Sequence, residues 1–184
     1  DTVIDEAVAA VGGTEDKVVT IIPTETGSAD KVEVSIPADS AGKIADADAA
    51  LIVQAPAGAV EIPKEILTQM EGTADQTVKI TVEARTQEHI ADAGITADTT
   101  GAVIVEVTIQ KGDTKVTDFD INQLTITIPV TNGFVAGKTY DVIVISEGKA
   151  NEIVKGLCIQ QGEQKVIQVK INHLSTFVVL NPVT

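Results

Sequence analysis

Few residues in this 184-residue chain have side chains suited to chemistry: two histidines, one cysteine and a surplus of carboxylates. Asp113, Asp118 and Asp120 bracket a turn and offer oxygen ligands of the kind Ca²⁺ takes, as do Asp46 and Asp48 beside an Ala-rich acidic segment. Neither group has the spacing of an EF-hand loop. With 27 acidic residues in the chain, solvated surface is the competing reading of both. His89 follows Glu88 with no cysteine or second histidine near it, which predicts an exposed side chain without a metal or catalytic role. Cys158 stands alone, so no internal disulfide forms. The zinc spacing of paired Cys or His is absent, and a buried apolar cysteine in a strand is expected. No G-x-S-x-G elbow, P-loop or dinucleotide fingerprint occurs, and no cofactor is expected.

The elements that must position these residues are mostly strands. Valine, isoleucine, leucine and alanine supply nearly all the apolar volume, because the aromatic stock is three Phe, one Tyr and no Trp. Val32, Val34 and Ile36 alternate with polar neighbours, and the pattern recurs at Val78-Ile80-Val82, Val103 to Ile109, Leu124-Ile126-Ile128, Tyr140-Val142-Val144 and Ile167-Val169-Ile171. An apolar run covers Val18 to Ile22, and a hairpin is expected around Ala57-Gly58. Turn residues punctuate the series at Lys111-Gly112-Asp113, Asn132-Gly133, Glu147-Gly148-Lys149 and Gln161-Gly162-Glu163.

Three helical stretches are expected. One lies in residues 2–11 and stops at Gly12-Gly13; a helical turn falls within residues 40–47. A two-turn helix follows Pro63, with Ile66, Leu67 and Met70 on one face. Together these predict a mainly antiparallel β-sandwich with two or three short helices. It forms a single domain over residues 1–184 or two packed sandwich-like halves meeting near residues 85–100, the most strand-poor stretch.

A formal charge of −14 repels phosphate backbones and anionic lipid, which argues against nucleic-acid partners and direct membrane insertion. No apolar run reaches the roughly 20 residues of a membrane-spanning helix. The chain starts abruptly at Asp1, so it is expected to be a piece of something longer.

Val32-Glu33-Val34-Ser35-Ile36-Pro37, Val60-Glu61-Ile62-Pro63-Lys64-Glu65-Ile66-Leu67, Leu124-Thr125-Ile126-Thr127-Ile128-Pro129-Val130 and the closing His173-Leu174-Ser175-Thr176-Phe177-Val178-Val179-Leu180 resemble a β-rich domain. That domain recurs in large surface proteins of Gram-positive bacteria that often carry S-layer homology modules. The resemblance covers residues 30–181. It implies an extracellular, wall- or S-layer-associated location and a structural or interaction role without catalysis, the partners being neighbouring domains and cell-wall or extracellular ligands.

The last of these segments is also similar to the cleavage sequence of GAIN autoproteolytic domains. That similarity implies His173 as general base, Leu174 as donor of the scissile carbonyl and Ser175 as nucleophile: hydroxyl attack on the preceding peptide bond gives an ester that water opens. The paired Cys and Trp that usually precede the GAIN triplet are missing here. The alternative is that His173 and Ser175 form local hydrogen bonds at a strand start while Leu174 and Phe177 fill the core. Glycan binding on a sandwich face is a further alternative, limited by the scarcity of aromatic platforms: Phe119, Phe134, Tyr140 and Phe177 are all there are.

Overall fold

The structure, a computed structural model, describes residues 17–23, 30–131 and 133–182. The helix expected in residues 2–11 and the Asn132 half of one expected turn lie outside the described residues. The protein is mainly β, with 51% strand and 13% helix. Twelve strands run in chain order: β1 (Val18–Ile21), β2 (Lys31–Pro37), β3 (Ala50–Ala55), β4 (Gly58–Ile62), β5 (Thr77–Arg85), β6 (Val103–Lys111), β7 (Thr114–Val116), β8 (Leu124–Val130), β9 (Thr139–Ile145), β10 (Glu152–Gln161), β11 (Gln164–Ile171) and β12 (Thr176–Val179). Helices α1 (Ala38–Asp46) and α2 (Lys64–Met70) complete the elements, with a 3-10 turn at Gln87–Ile90.

Eleven strands form one continuous path, β1-β3-β4-β8-β11-β10-β9-β12-β6-β5-β2, with β7 hung on β6. The expected β-richness and short helices are present. A mainly antiparallel arrangement was expected; the sheet is mixed, with β1 running parallel to β3 while the other described ladders are antiparallel. It curls, bringing β2 against β3, β4 against β5 and β6 against β8, pairs that are not neighbours in the sheet. Alternation explains the curl. Val32, Val34, Ile80, Val107, Ile126 and Val169 all point into one buried core, and a sheet with a single apolar face must fold that face onto itself or onto helices. Phe119 and Phe177 are its largest fully buried side chains, and Cys158 is buried within it as expected.

Local chemistry explains where the elements stop. Gly112 and Gly162 have φ of 57° and 59°, the left-handed conformation that the two-residue β6–β7 and β10–β11 turns need. Pro129 sits inside β8, yet β8 pairs with β4 only over Thr125–Thr127, so the proline lies beyond the end of that neighbour. Helix α2 begins directly after Pro63 and buries Ile66, Leu67 and Met70, the face the sequence spacing predicts. Helix α1 packs on α2 and buries Ala38, Ala41 and Ile44 in the main core.

A second, smaller apolar cluster lies on the opposite side of the sheet. Ile104 of β6, Val178 of β12 and Ile143 of β9 are covered there by Ile90, with Ile95 and Ala102 packed around them. Residues 86–102, strand-poor in the sequence, therefore form a strap across the outer face of three strands. Thr99 ties the strap to itself by donating to Gln87 Oε1 (2.8 Å), and Asn151 ties it to the body by donating to the Ala93 carbonyl (2.6 Å).

Candidate functional site

Below the strap the outer face stays open, and register decides what lines it. Across one rung Lys31 of β2 pairs with Glu83 of β5, Glu83 with Glu106 of β6, and Glu106 with Thr176 of β12. The next rung brings Glu33 beside Thr81 and Thr81 beside Thr108. Lys79, Gln110 and Lys115 follow. Two adjoining clefts result. One, of about 250 Å³, runs from Lys31 and Glu33 to Lys115; the other, of about 260 Å³, lies between His89, Glu106, Thr108, Glu147 and Thr176.

Two glutamates directly opposite each other repel. Arg85, the only arginine in the chain, answers them both. Its Nη1 lies 3.0 Å from Glu83 Oε1, its Nη2 2.5 Å from Glu106 Oε2, and its Nε donates to Glu106 Oε2 at 2.7 Å. A planar guanidinium can fork in this way, whereas an ammonium cannot. His89, carried on the strap, places Nε2 3.4 Å from Thr176 Oγ1 and 3.7 Å from Glu106 Oε2. The same ring nitrogen faces hydroxyl and carboxylate, so this is not a nucleophile–base–acid relay, in which the two partners engage opposite nitrogens. His89 is exposed, as the sequence predicts; the partners it finds there are invisible in sequence because they lie on other strands.

His173 forms an isolated antiparallel bridge with Asp118 just before β12. Its Nδ1 lies 3.3 Å from Asn172 Oδ1 and its Nε2 3.5 Å from Glu152 Oε2. Leu174 is buried and donates its N–H to the Thr117 carbonyl (2.9 Å). The Ser175 hydroxyl lies 2.6 Å from the Ser146 hydroxyl, and its carbonyl accepts the Val107 N–H at 3.2 Å. The histidine ring and the serine hydroxyl thus have separate partners. None of residues 172–176 has the left-handed φ that marks backbone strain; among the described non-glycine residues only Asp48 and Asp120 do. Leu174 and Phe177 fill the core, as one of the two alternatives expects.

The expected Ca²⁺ ligands are dispersed. Asp113 lies in the β6–β7 turn, whereas Asp118 Oδ1 accepts the Asp120 N–H (3.0 Å) and its Oδ2 faces Lys149 at 3.7 Å. Asp48 pairs with Lys64. Among the described residues no three His, Cys, Asp or Glu side chains cluster as metal ligands would. No described helix is long and apolar enough to cross a membrane.

Comparison with protein-family models, with curated proteins and with solved structures returns no match.

Proposed function

We propose that this chain is an interaction module of a secreted Gram-positive cell-surface protein, and that the polar clefts on its outer face are where it binds. The clefts carry the reading. The sheet turns one face to the core, while the other face stays open on β2, β5 and β6, and the groups that line it include the only arginine, on β5, and one of the two histidines, on the strap. Loops and sheet faces held by a rigid scaffold are where binding residues concentrate. The wall- or S-layer-associated location rests on the likeness of its strand motifs to surface-protein domains. In finer architecture the curled sheet acts as a two-layer sandwich, with β3, β4 and β8 facing β2, β5 and β6 across the shared core.

Retention on purified Gram-positive cell-wall fragments tests the reading. The wild-type chain is expected to co-sediment with walls. Thr108→Arg, which places a long charged side chain on the cleft floor without touching the core, is expected to lose retention while keeping the wild-type unfolding midpoint. A wild-type chain that stays in solution, or a Thr108→Arg chain retained equally well, overturns it.

A further inference from the structure

We infer that the ligand of this face is a neutral, hydroxyl-rich glycan chain, an inference that rests on the proposed binding role and gives it a chemical class. Charge is the first ground. The chain carries a net −14, yet the cleft that runs from Lys31 and Glu33 to Lys115 holds three cations, Lys31, Arg85 and Lys115, against three carboxylates, Glu33, Glu83 and Glu106. The acidic surplus of the molecule is cancelled in this cleft. Several of the charges are also engaged with one another: Arg85 holds both Glu83 and Glu106, and Lys79 lies 3.3 Å from Glu33. An anionic polymer meets fixed carboxylates, and a cationic peptide meets carboxylates already paired. A neutral partner incurs neither penalty.

Hydrogen-bonding capacity is the second ground. Glutamates offer acceptors, Arg85 and the lysines offer donors, and Thr81, Thr108, Gln110 and Thr176 offer both. Vicinal hydroxyls, each a donor and an acceptor, match such a mixed surface. Shape is the third. The two adjoining clefts together cross β2, β5, β6 and β12, four strands spaced about 4.8 Å apart, so their joint floor extends about 14 Å and suits a linear chain lying across the strands. The strap residue His89 closes one end.

Aromatic stacking plays no part. Phe119, Phe134 and Phe177 are buried, and Tyr140 packs edge-on against Phe134. Recognition by hydrogen bonds in an open, hydrated cleft is weak, with Kd of about 0.1–10 mM.

Saturation-transfer NMR and titration of the whole chain with chitohexaose, cellohexaose, xylohexaose and mannohexaose test the inference, with poly(glycerol phosphate) and polylysine as charged comparators. At least one neutral hexasaccharide is expected to bind. Thr108→Val is expected to weaken it about fivefold, the loss of one neutral hydrogen bond. Ile153→Ser, an exposed position on β10 away from the cleft, is expected to leave it unchanged. Absence of binding to every neutral hexasaccharide, tighter binding of a charged comparator, or indifference to Thr108→Val overturns the inference. If walls retain the chain through the cleft while no hexasaccharide binds, the glycan assignment alone falls; if walls do not retain it, the binding role falls with it.

Discussion

Glu83 and Glu106 face each other on one rung of the sheet, a pairing that repulsion would open without the guanidinium of Arg85 between them. Arg85 is about one-third exposed, so solvent screens the network and each contact is modest. Arg85→Lys keeps the charge but loses the fork, and is expected to lower stability by about 1 kcal/mol in urea denaturation. Glu106→Gln added to Arg85→Lys is expected to recover part of that loss, since it removes the repulsion the lysine cannot bridge. A similar argument applies to Asp48, whose φ of 59° suits Asn as well as Asp. Its carboxyl lies below the ordinary value of 3.8, first because Lys64 donates a hydrogen bond to it and then because of the lysine's charge; Lys64 is raised above 10.5 by the same contact. The pair's stabilisation is therefore complete between those ordinary values. It is lost as pH falls from 3.8 through the lowered carboxyl value, or rises from 10.5 through the raised ammonium value. Asp48→Asn is expected to flatten the acid limb of a stability–pH curve slightly, the pair being exposed. For His173 and Ser175 the geometry predicts an intact chain. With the ring on Asn172 and Glu152, the hydroxyl on Ser146 and no left-handed strain, denatured mass spectrometry is expected to give one full-length species after days at neutral pH. Loss of residues 175–184, abolished by Ser175→Ala, would contradict it.

At the scale of elements, the alternating strands were legible because one face of each turns to the core: β2 and β8 alternate in burial as their sequences do in polarity, and β5 and β6 bury Val78, Ile80 and Val82, and Val105, Val107 and Ile109, on that face. Strand β10 was not. Ile153 and Leu157 are exposed and Gly156 lies between charged and apolar neighbours, so its hydropathy does not alternate. Its glycine has a packing reason instead: a Cβ there would run into Ile167 Cγ2, with Val142 Cγ2 at 3.1 Å and Val169 Cγ2 at 3.2 Å. Gly156→Ala is expected to destabilise the protein by about 1–3 kcal/mol through overpacking, measured by thermal or urea unfolding. The cleft was illegible for a related reason. Glu83, Arg85, His89 and Glu106 are ordinary surface residues in sequence, and only the β5–β6 register brings the first and last of them opposite each other. The strap was visible as a strand-poor stretch, but its role as cover for Ile104, Ile143 and Val178 depends on a sheet that sequence spacing does not assemble. Since Ile90 is the strap's buried side chain in that cluster, Ile90→Ala is expected to raise amide exchange in residues 86–102 far more than in β5 or β6.

For the whole molecule the path of the sheet decides cooperativity. Strands from the first half of the chain occupy both ends of that path, β1-β3-β4 at one and β5-β2 at the other, while strands from the second half fill the middle. Cutting near residues 85–100 would therefore break two ladders at once, β4 with β8 and β5 with β6. The main core draws on both halves as well, placing Val34, Leu51 and Ile80 in one cluster with Ile126, Val169 and Phe177. Two halves that share both their hydrogen bonds and their core are expected to melt together. Calorimetry is expected to show a single transition with equal calorimetric and van't Hoff enthalpies. Residues 17–90 and 91–182 expressed separately are expected to lack a cooperative transition. Two resolved transitions, or a cooperatively folded half, would instead mean that each half of the chain carries its own stability and that the shared core is a docking surface between them.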